Sequence, residues 1–131
     1  MSSILVMHSW MRFLILLSTL GFFGVCLQGV LSRRPADKRD RLLGGVFVGV
    51  IDLQVLLGIG LLATGHSIKG MESHVGTMVI VLVLAHVASV MNRRRTAVRN
   101  WVPVGLVGAV FVFLVTGILL THRGLFGGVA L

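Results

Sequence analysis

Residues 71–90 read MESHVGTMVIVLVLAHVASV, an apolar run that contains two histidines, His74 and His86. Such a run is long enough to cross the ~30 Å hydrocarbon core of a bilayer as a single helix. A histidine inside hydrocarbon is costly unless a partner or a ligand binds it. The segment is therefore typical of a membrane-spanning helix that carries part of a polar or ligand-binding site, and other segments must supply the rest of that site.

The whole chain shares this apolar character. Its 131 residues are 56% hydrophobic, with a mean hydropathy of +0.99, which lies outside the range of ordinary soluble domains. The apolar runs are joined by short connections, which favours an up-down bundle of four transmembrane helices. We therefore predict that residues 1–131 form one all-α integral membrane domain. Its four helices are expected at about residues 4–31, 42–64, 73–91 and 101–121.

The net charge of +8 is concentrated in two short segments between apolar runs. Five basic residues lie within residues 33–41 and four within residues 93–99. Basic loops of this kind are typical of the cytoplasmic side of a membrane protein, which predicts a multi-pass membrane protein with cytoplasmic basic loops and both termini outside. Such loops also attract anionic lipid headgroups. No base-reading surface accompanies the charge, so we expect the lipid bilayer, and not nucleic acid, as a partner.

The predicted topology sorts the histidines by depth. His8, His66, His74 and His122 all fall near the outer face. His86 lies 12 residues beyond His74, which is about 18 Å deeper at the rise of an α-helix. The two histidines of the third helix therefore cannot bind one metal ion together, and each needs a partner from another helix.

His8 is the partner that matches His74 in depth. Two histidines from two helices at equal depth are a common way for a four-helix bundle to hold a b-type haem. Arg12 lies one turn inward from His8, where it is placed to pair with a haem propionate. Met78 lies one turn inward from His74, where it is placed to pack against the macrocycle. These four residues form the predicted haem site, with His8 and His74 as iron ligands.

Two polar residues of the second helix, Asp52 and Gln54, match the depth of His86. Ionisable residues inside a membrane commonly mark substrate or proton pathways. Asp52, Gln54 and His86 therefore predict a second polar site. A quinone pocket, a proton relay and a structural His–Asp pair all remain open for it.

Three spaced motifs connect these residues. They are His-Ser-x-x-Arg (His8, Ser9, Arg12), Gln-x-x-x-Gly (Gln54, Gly58) and His-x3-Met-x7-His (His74, Met78, His86). In this pattern the chain resembles the small four-helix bacterial membrane proteins labelled cytochrome-b-like. The resemblance covers the first three helices. It implies a bound haem, a role in electron transport and a location in the bacterial inner (plasma) membrane.

The leading functional prediction is electron transfer through haem b. The protein would exchange electrons with a quinol or a redox partner, as a homo-oligomer or as a subunit of a larger redox complex, and any enzymatic role would be as part of an oxidoreductase. The alternatives are a haem-free metal- or proton-handling protein and a structural subunit of a membrane complex. An outer-face zinc or copper site would use His8, His66, Glu72, His74 and His122.

Overall fold

The computed structural model describes residues 3–65, 72–94 and 101–119. Within these ranges the chain forms four α-helices and no β-strand, which confirms the predicted all-α class for the described residues. Each helix is long and apolar enough to cross a membrane. The predicted end of the fourth helix, at residue 121, lies outside the described residues. The helices are α1 (Ser3–Leu31), α2 (Lys38–Ala63), α3 (Glu72–Arg93) and α4 (Val102–Leu119).

Each helix packs against the next along the chain, and α4 packs against α1. Hydrogen bonds show that neighbours run in opposite directions. Gln54, late in α2, bonds to His8, early in α1, and His74, early in α3, bonds to Gly117, late in α4. The helices therefore alternate in direction around a closed ring, as expected for an up-down bundle.

The bundle is apolar both inside and outside. In its interior the fully buried rings of Phe22 and Phe47 pack with their centroids 5.0 Å apart. On its exterior, large aliphatic side chains such as Leu17 and Leu56 are more than 60% exposed. A helix that is apolar on all sides matches a hydrocarbon environment better than water. The surface of the bundle is thus suited to lipid.

Helix α2 begins at Lys38, four residues before the start predicted at Leu42. The cause is a capping box. The Asp37 side chain accepts a hydrogen bond from the backbone N–H of Arg39, and the Asp40 side chain accepts one from the backbone N–H of Asp37. The prediction followed hydropathy and so began the helix at its first apolar residue, whereas polar capping sets the real start.

Asp40 also holds three parts of the chain together. Its side chain is fully buried, and its Oδ2 lies 2.6 Å from Nη1 of Arg34 in the α1–α2 connection. Its Oδ1 accepts a hydrogen bond of 2.8 Å from Nδ2 of Asn92 in α3. Removing one member of such a buried network leaves the others without compensation. Asp40 therefore fixes the α1–α2 connection against the end of α3.

We expect Asp40→Asn to lower the free energy of unfolding by about 2 kcal/mol, because the part-buried Arg34 guanidinium then keeps only the exposed carboxylate of Asp37 as its partner. Lys38→Gln is the matched control, since Lys38 is exposed in the same helical turn. Both variants would be unfolded in the same detergent and followed by circular dichroism. Equal stability of Asp40→Asn and the wild-type chain would contradict this role of Asp40.

Candidate functional site

A cavity lies between the four helices, near the start of α1 and the end of α4. Its volume is about 510 Å³, within the ~300–1,000 Å³ range of small-molecule and cofactor pockets. Its walls are mostly apolar, and residues of all four helices contribute to them. The polar residues and the methionine in its lining are His8, Ser9, Arg12, Gln54, His74 and Met78. The structure thus brings all four residues of the predicted haem site to one cavity.

A hydrogen bond to α4 holds the ring of His74. Its Nδ1 lies 2.7 Å from the backbone carbonyl of Gly117. Because a carbonyl only accepts hydrogen bonds, Nδ1 must carry the proton, and Nε2 of the neutral ring keeps its lone pair. This is the state in which a histidine binds a metal through one nitrogen while the other donates to the protein. The Gly117 carbonyl therefore fixes the tautomer of the His74 ring.

Gly117 allows α4 to approach α3 at this point. A Cβ atom built on Gly117 would collide with the terminal methyl of Met78 and would lie 3.4 Å from Cγ2 of Thr77. It would also lie 3.8 Å from Nδ1 of His74. The absence of a side chain at Gly117 therefore positions both cavity residues of α3. The sequence analysis did not identify this glycine, because no local motif marks it.

Gln54 connects α2 to the turn of α1 that carries His8. Its Nε2 donates a 3.0 Å hydrogen bond to the His8 carbonyl and lies 3.4 Å from Nε2 of the His8 ring. Its Oε1 is buried and has no hydrogen-bond partner among the described residues. One turn further along α2, a Cβ atom on Gly58 would lie 3.5 Å from Cε1 of His8, so the glycine leaves room for the ring.

The cavity carries positive charge. Arg12 is 7% exposed and forms part of the wall one turn inward from His8. Among the residues that the structure describes, no aspartate or glutamate lines the cavity. A guanidinium in a wall of low polarity favours an anionic group, and a carboxylate matches its geometry. The described lining of the cavity is therefore mostly apolar, with the charge of one arginine in its wall.

Asp52 and His86 form a separate site. Nε2 of His86 lies 2.8 Å from Oδ1 of Asp52, and the two side chains are 49% and 45% exposed. They line a groove of about 360 Å³ between α2 and α3. Gln54 was predicted to join them, but it faces the cavity instead. Residues two apart on a helix point about 200° apart, so Asp52 and Gln54 cannot share one face.

The predicted outer-face metal cluster is described only in part. His66 and His122 lie outside the described residues. Among residues 3–65, 72–94 and 101–119, no group of three or more His, Cys, Asp or Glu side chains is placed to hold a metal ion. The described part of the chain therefore offers His8 and His74 as two histidines on one cavity.

Comparison with known proteins leaves the family open. No family model, curated protein or solved structure matches the chain. The resemblance to cytochrome-b-like membrane proteins therefore remains a prediction, and the functional argument depends on the geometry of the cavity itself.

We expect Gly117→Ala to destabilise the protein by about 1 kcal/mol, because the added methyl must displace Met78. Gly105→Ala is the control, since a Cβ atom there has no neighbour within 4 Å. It should leave stability unchanged or slightly raise it, as alanine favours the helix. Thermal unfolding of both variants in one detergent measures the difference. Equal shifts in the two variants would show that Gly117 is not needed for close packing.

Proposed function

We propose that the chain is a multi-pass membrane protein that holds a b-type haem in the four-helix cavity and transfers electrons. His8 and His74 would bind the iron. The observation that carries this proposal is that both histidines line one cavity of about 510 Å³, while His74 donates Nδ1–H to the Gly117 carbonyl. That hydrogen bond leaves Nε2 of His74 for a metal.

The other lining residues fit the same ligand. Apolar side chains from all four helices would surround a flat macrocycle and exclude water from it. The buried guanidinium of Arg12 would pair with a propionate. Met78 would pack against the ring, where its flexible thioether suits an irregular contact. When bound, haem supplies reversible one-electron chemistry, and the histidines, the apolar walls and Arg12 set its orientation and environment.

The proposal includes an orientation in the bilayer. The basic segments between α1 and α2 and between α3 and α4 would face the cytoplasm of a bacterial cell, with both termini outside. Because the start of α1 lies at the opposite end of the bundle from these segments, the cavity would lie near the outer face. The apolar exterior of the four helices would face lipid.

Electron exchange requires a partner. The described residues consist almost entirely of membrane-length helices, so the donor or acceptor would be a quinol dissolved in the bilayer or a redox protein. We propose that the chain works as a homo-oligomer or as a subunit of a larger redox complex. Any oxidoreductase activity would belong to that assembly.

Optical spectra of protein purified from haem-replete cells test the ligand assignment. The wild-type chain should show a Soret band and α and β bands on reduction with dithionite. His8→Ala and His74→Ala should each lose most of this absorbance, because one iron ligand is removed. His86→Ala is the control and should keep the wild-type spectrum, since His86 lines a different pocket. Size-exclusion chromatography would establish that each variant remains folded.

Two results would favour a different function. A colourless wild-type protein with stoichiometric zinc or copper that is lost in His74→Ala would indicate the haem-free metal protein. A colourless, metal-free protein that still assembles normally when His8 and His74 are both replaced would indicate a structural subunit. Equal loss of colour in His86→Ala and His74→Ala would also contradict the assigned site.

A further inference from the structure

The groove between α2 and α3 places ionisable groups on the outside of a bundle that is otherwise apolar. Asp52 and His86 lie at one end of this groove, and Arg93 lines it seven residues further along α3. Arg93 belongs to the last turn of that helix, next to the second basic segment. The groove therefore leads from the basic end of the bundle to the hydrogen-bonded Asp52–His86 pair.

The exposure of this pair conflicts with a hydrocarbon environment. Nearly half of each side chain is exposed, although ionisable residues in membrane helices almost always face the bundle interior or a water-filled cavity. The contact between Asp52 and His86 uses one nitrogen of the imidazole. Its other nitrogen, Nδ1, has no hydrogen-bond partner in the described part of the chain. Some polar species must therefore solvate the open side of the pair.

Ser89 gives an independent indication of that species. It lines the same groove, and no hydrogen bond joins its hydroxyl to another described residue. The hydroxyl oxygen is not one of the fully enclosed polar atoms without a partner, so it remains accessible from the groove. The hydroxyls of Thr19, Thr77 and Thr116 all bond to the carbonyl four residues earlier. A hydroxyl that makes no such bond needs another polar partner, and this one can be reached from the groove. The groove provides the space for that partner.

Water fits the groove better than lipid or a bulky ligand. The volume of about 360 Å³ holds on the order of ten water molecules at ~30 Å³ each. Polar groups occur at both ends and along one wall, so such waters find the several partners that ordered water needs. The glycines of the α2 wall leave the groove open, because a Cβ atom on Gly45 or Gly49 has no neighbour within 4 Å.

We propose that the α2–α3 groove is a water-filled inlet, open at the Arg93 end, through which the Asp52–His86 pair exchanges protons with the aqueous phase. A carboxylate and an imidazole that share a hydrogen bond can take up and release one proton while the hydrogen bond between them stays in place. Asp52 and Arg93 are the charged residues in the lining, so the carboxylate, the imidazole and the guanidinium determine the charge along the path. The inlet does not depend on haem in the cavity.

Cysteine labelling tests whether water reaches the groove. The native Cys26 is fully buried, so the unmodified chain provides a low background. Gly49→Cys places a thiol in the groove eleven residues from the start of α2. Gly21→Cys is the matched control on α1, ten residues from the end of that helix, exposed and equally unobstructed but outside the groove. Each variant would be treated in lipid vesicles with a membrane-impermeant maleimide on both sides.

We expect Gly49→Cys to react at least about tenfold faster than Gly21→Cys, because only a thiol in contact with water forms the reactive thiolate. Equal and slow labelling of both variants would overturn the inlet and indicate a lipid-filled groove. A disulfide-linked dimer of Gly49→Cys under mild oxidation would also overturn it, since a second copy of the chain would then cover the groove.

Infrared spectroscopy tests proton exchange at the pair. Membrane-embedded protein moved from alkaline to acidic buffer should gain a protonated-carboxyl band that is absent from Asp52→Asn. A band that Asp52→Asn leaves unchanged would show that Asp52 does not exchange protons with the buffer. Neither the labelling nor the infrared measurement requires bound haem. Both can therefore be interpreted even if the purified protein is colourless.

Discussion

The bundle depends on one requirement, that a polar side chain among apolar helices must find its partner on a neighbouring helix. His74 meets it through the Gly117 carbonyl, and Gln54 meets it through the His8 carbonyl. The first hydrogen bond joins α3 to α4 and the second joins α2 to α1, and both lie at the same end of the bundle. They fix the rotation of all four helices around the cavity, and two histidines line it as a result.

The same requirement organises the opposite end. Asp40 receives hydrogen bonds from Arg34 and Asn92 and so joins the α1–α2 connection to α3. Helices α2 and α3 also pack closely at this end, because a Cβ atom on Gly44 would lie 3.1 Å from Oγ of Ser89. A rigid network at one end leaves room for an open cavity at the other. The bundle therefore combines a hydrogen-bonded network at the end near the first basic segment with a cavity at the opposite end.

The two polar regions of the molecule differ in chemical character. In the described part of the chain, the cavity is lined by apolar groups, two histidines, a serine, a glutamine and a buried arginine, and by no acidic residue. The groove contains an acid paired with an imidazole, and both are half exposed. The first arrangement suits an apolar ligand with carboxylates, and the second suits water and protons. If both proposals hold, electrons and protons would be handled by different faces of α3, which carries His74 and His86 twelve residues apart.

Hydropathy alone was sufficient to predict four long helices. Counting residues along them was sufficient to predict that His8 and His74 lie at similar depth. Depth does not determine which way a side chain points, so Gln54 was grouped with Asp52, although the structure directs it to His8. The start of α2 depended on the polar capping box at Asp37, which a hydropathy profile does not detect. The role of Gly117 depended on the packing of α4 against α3, and no local pattern encodes that contact.

Electron paramagnetic resonance of the haem-loaded, oxidised protein tests the central claim most directly, because the spin state of ferric haem reports its axial ligands. Ligation by His8 and His74 predicts a low-spin signal with two imidazole ligands, which converts to high spin when His74 is replaced by alanine. A high-spin signal from the wild-type chain would contradict the account. So would a protein that takes up no haem.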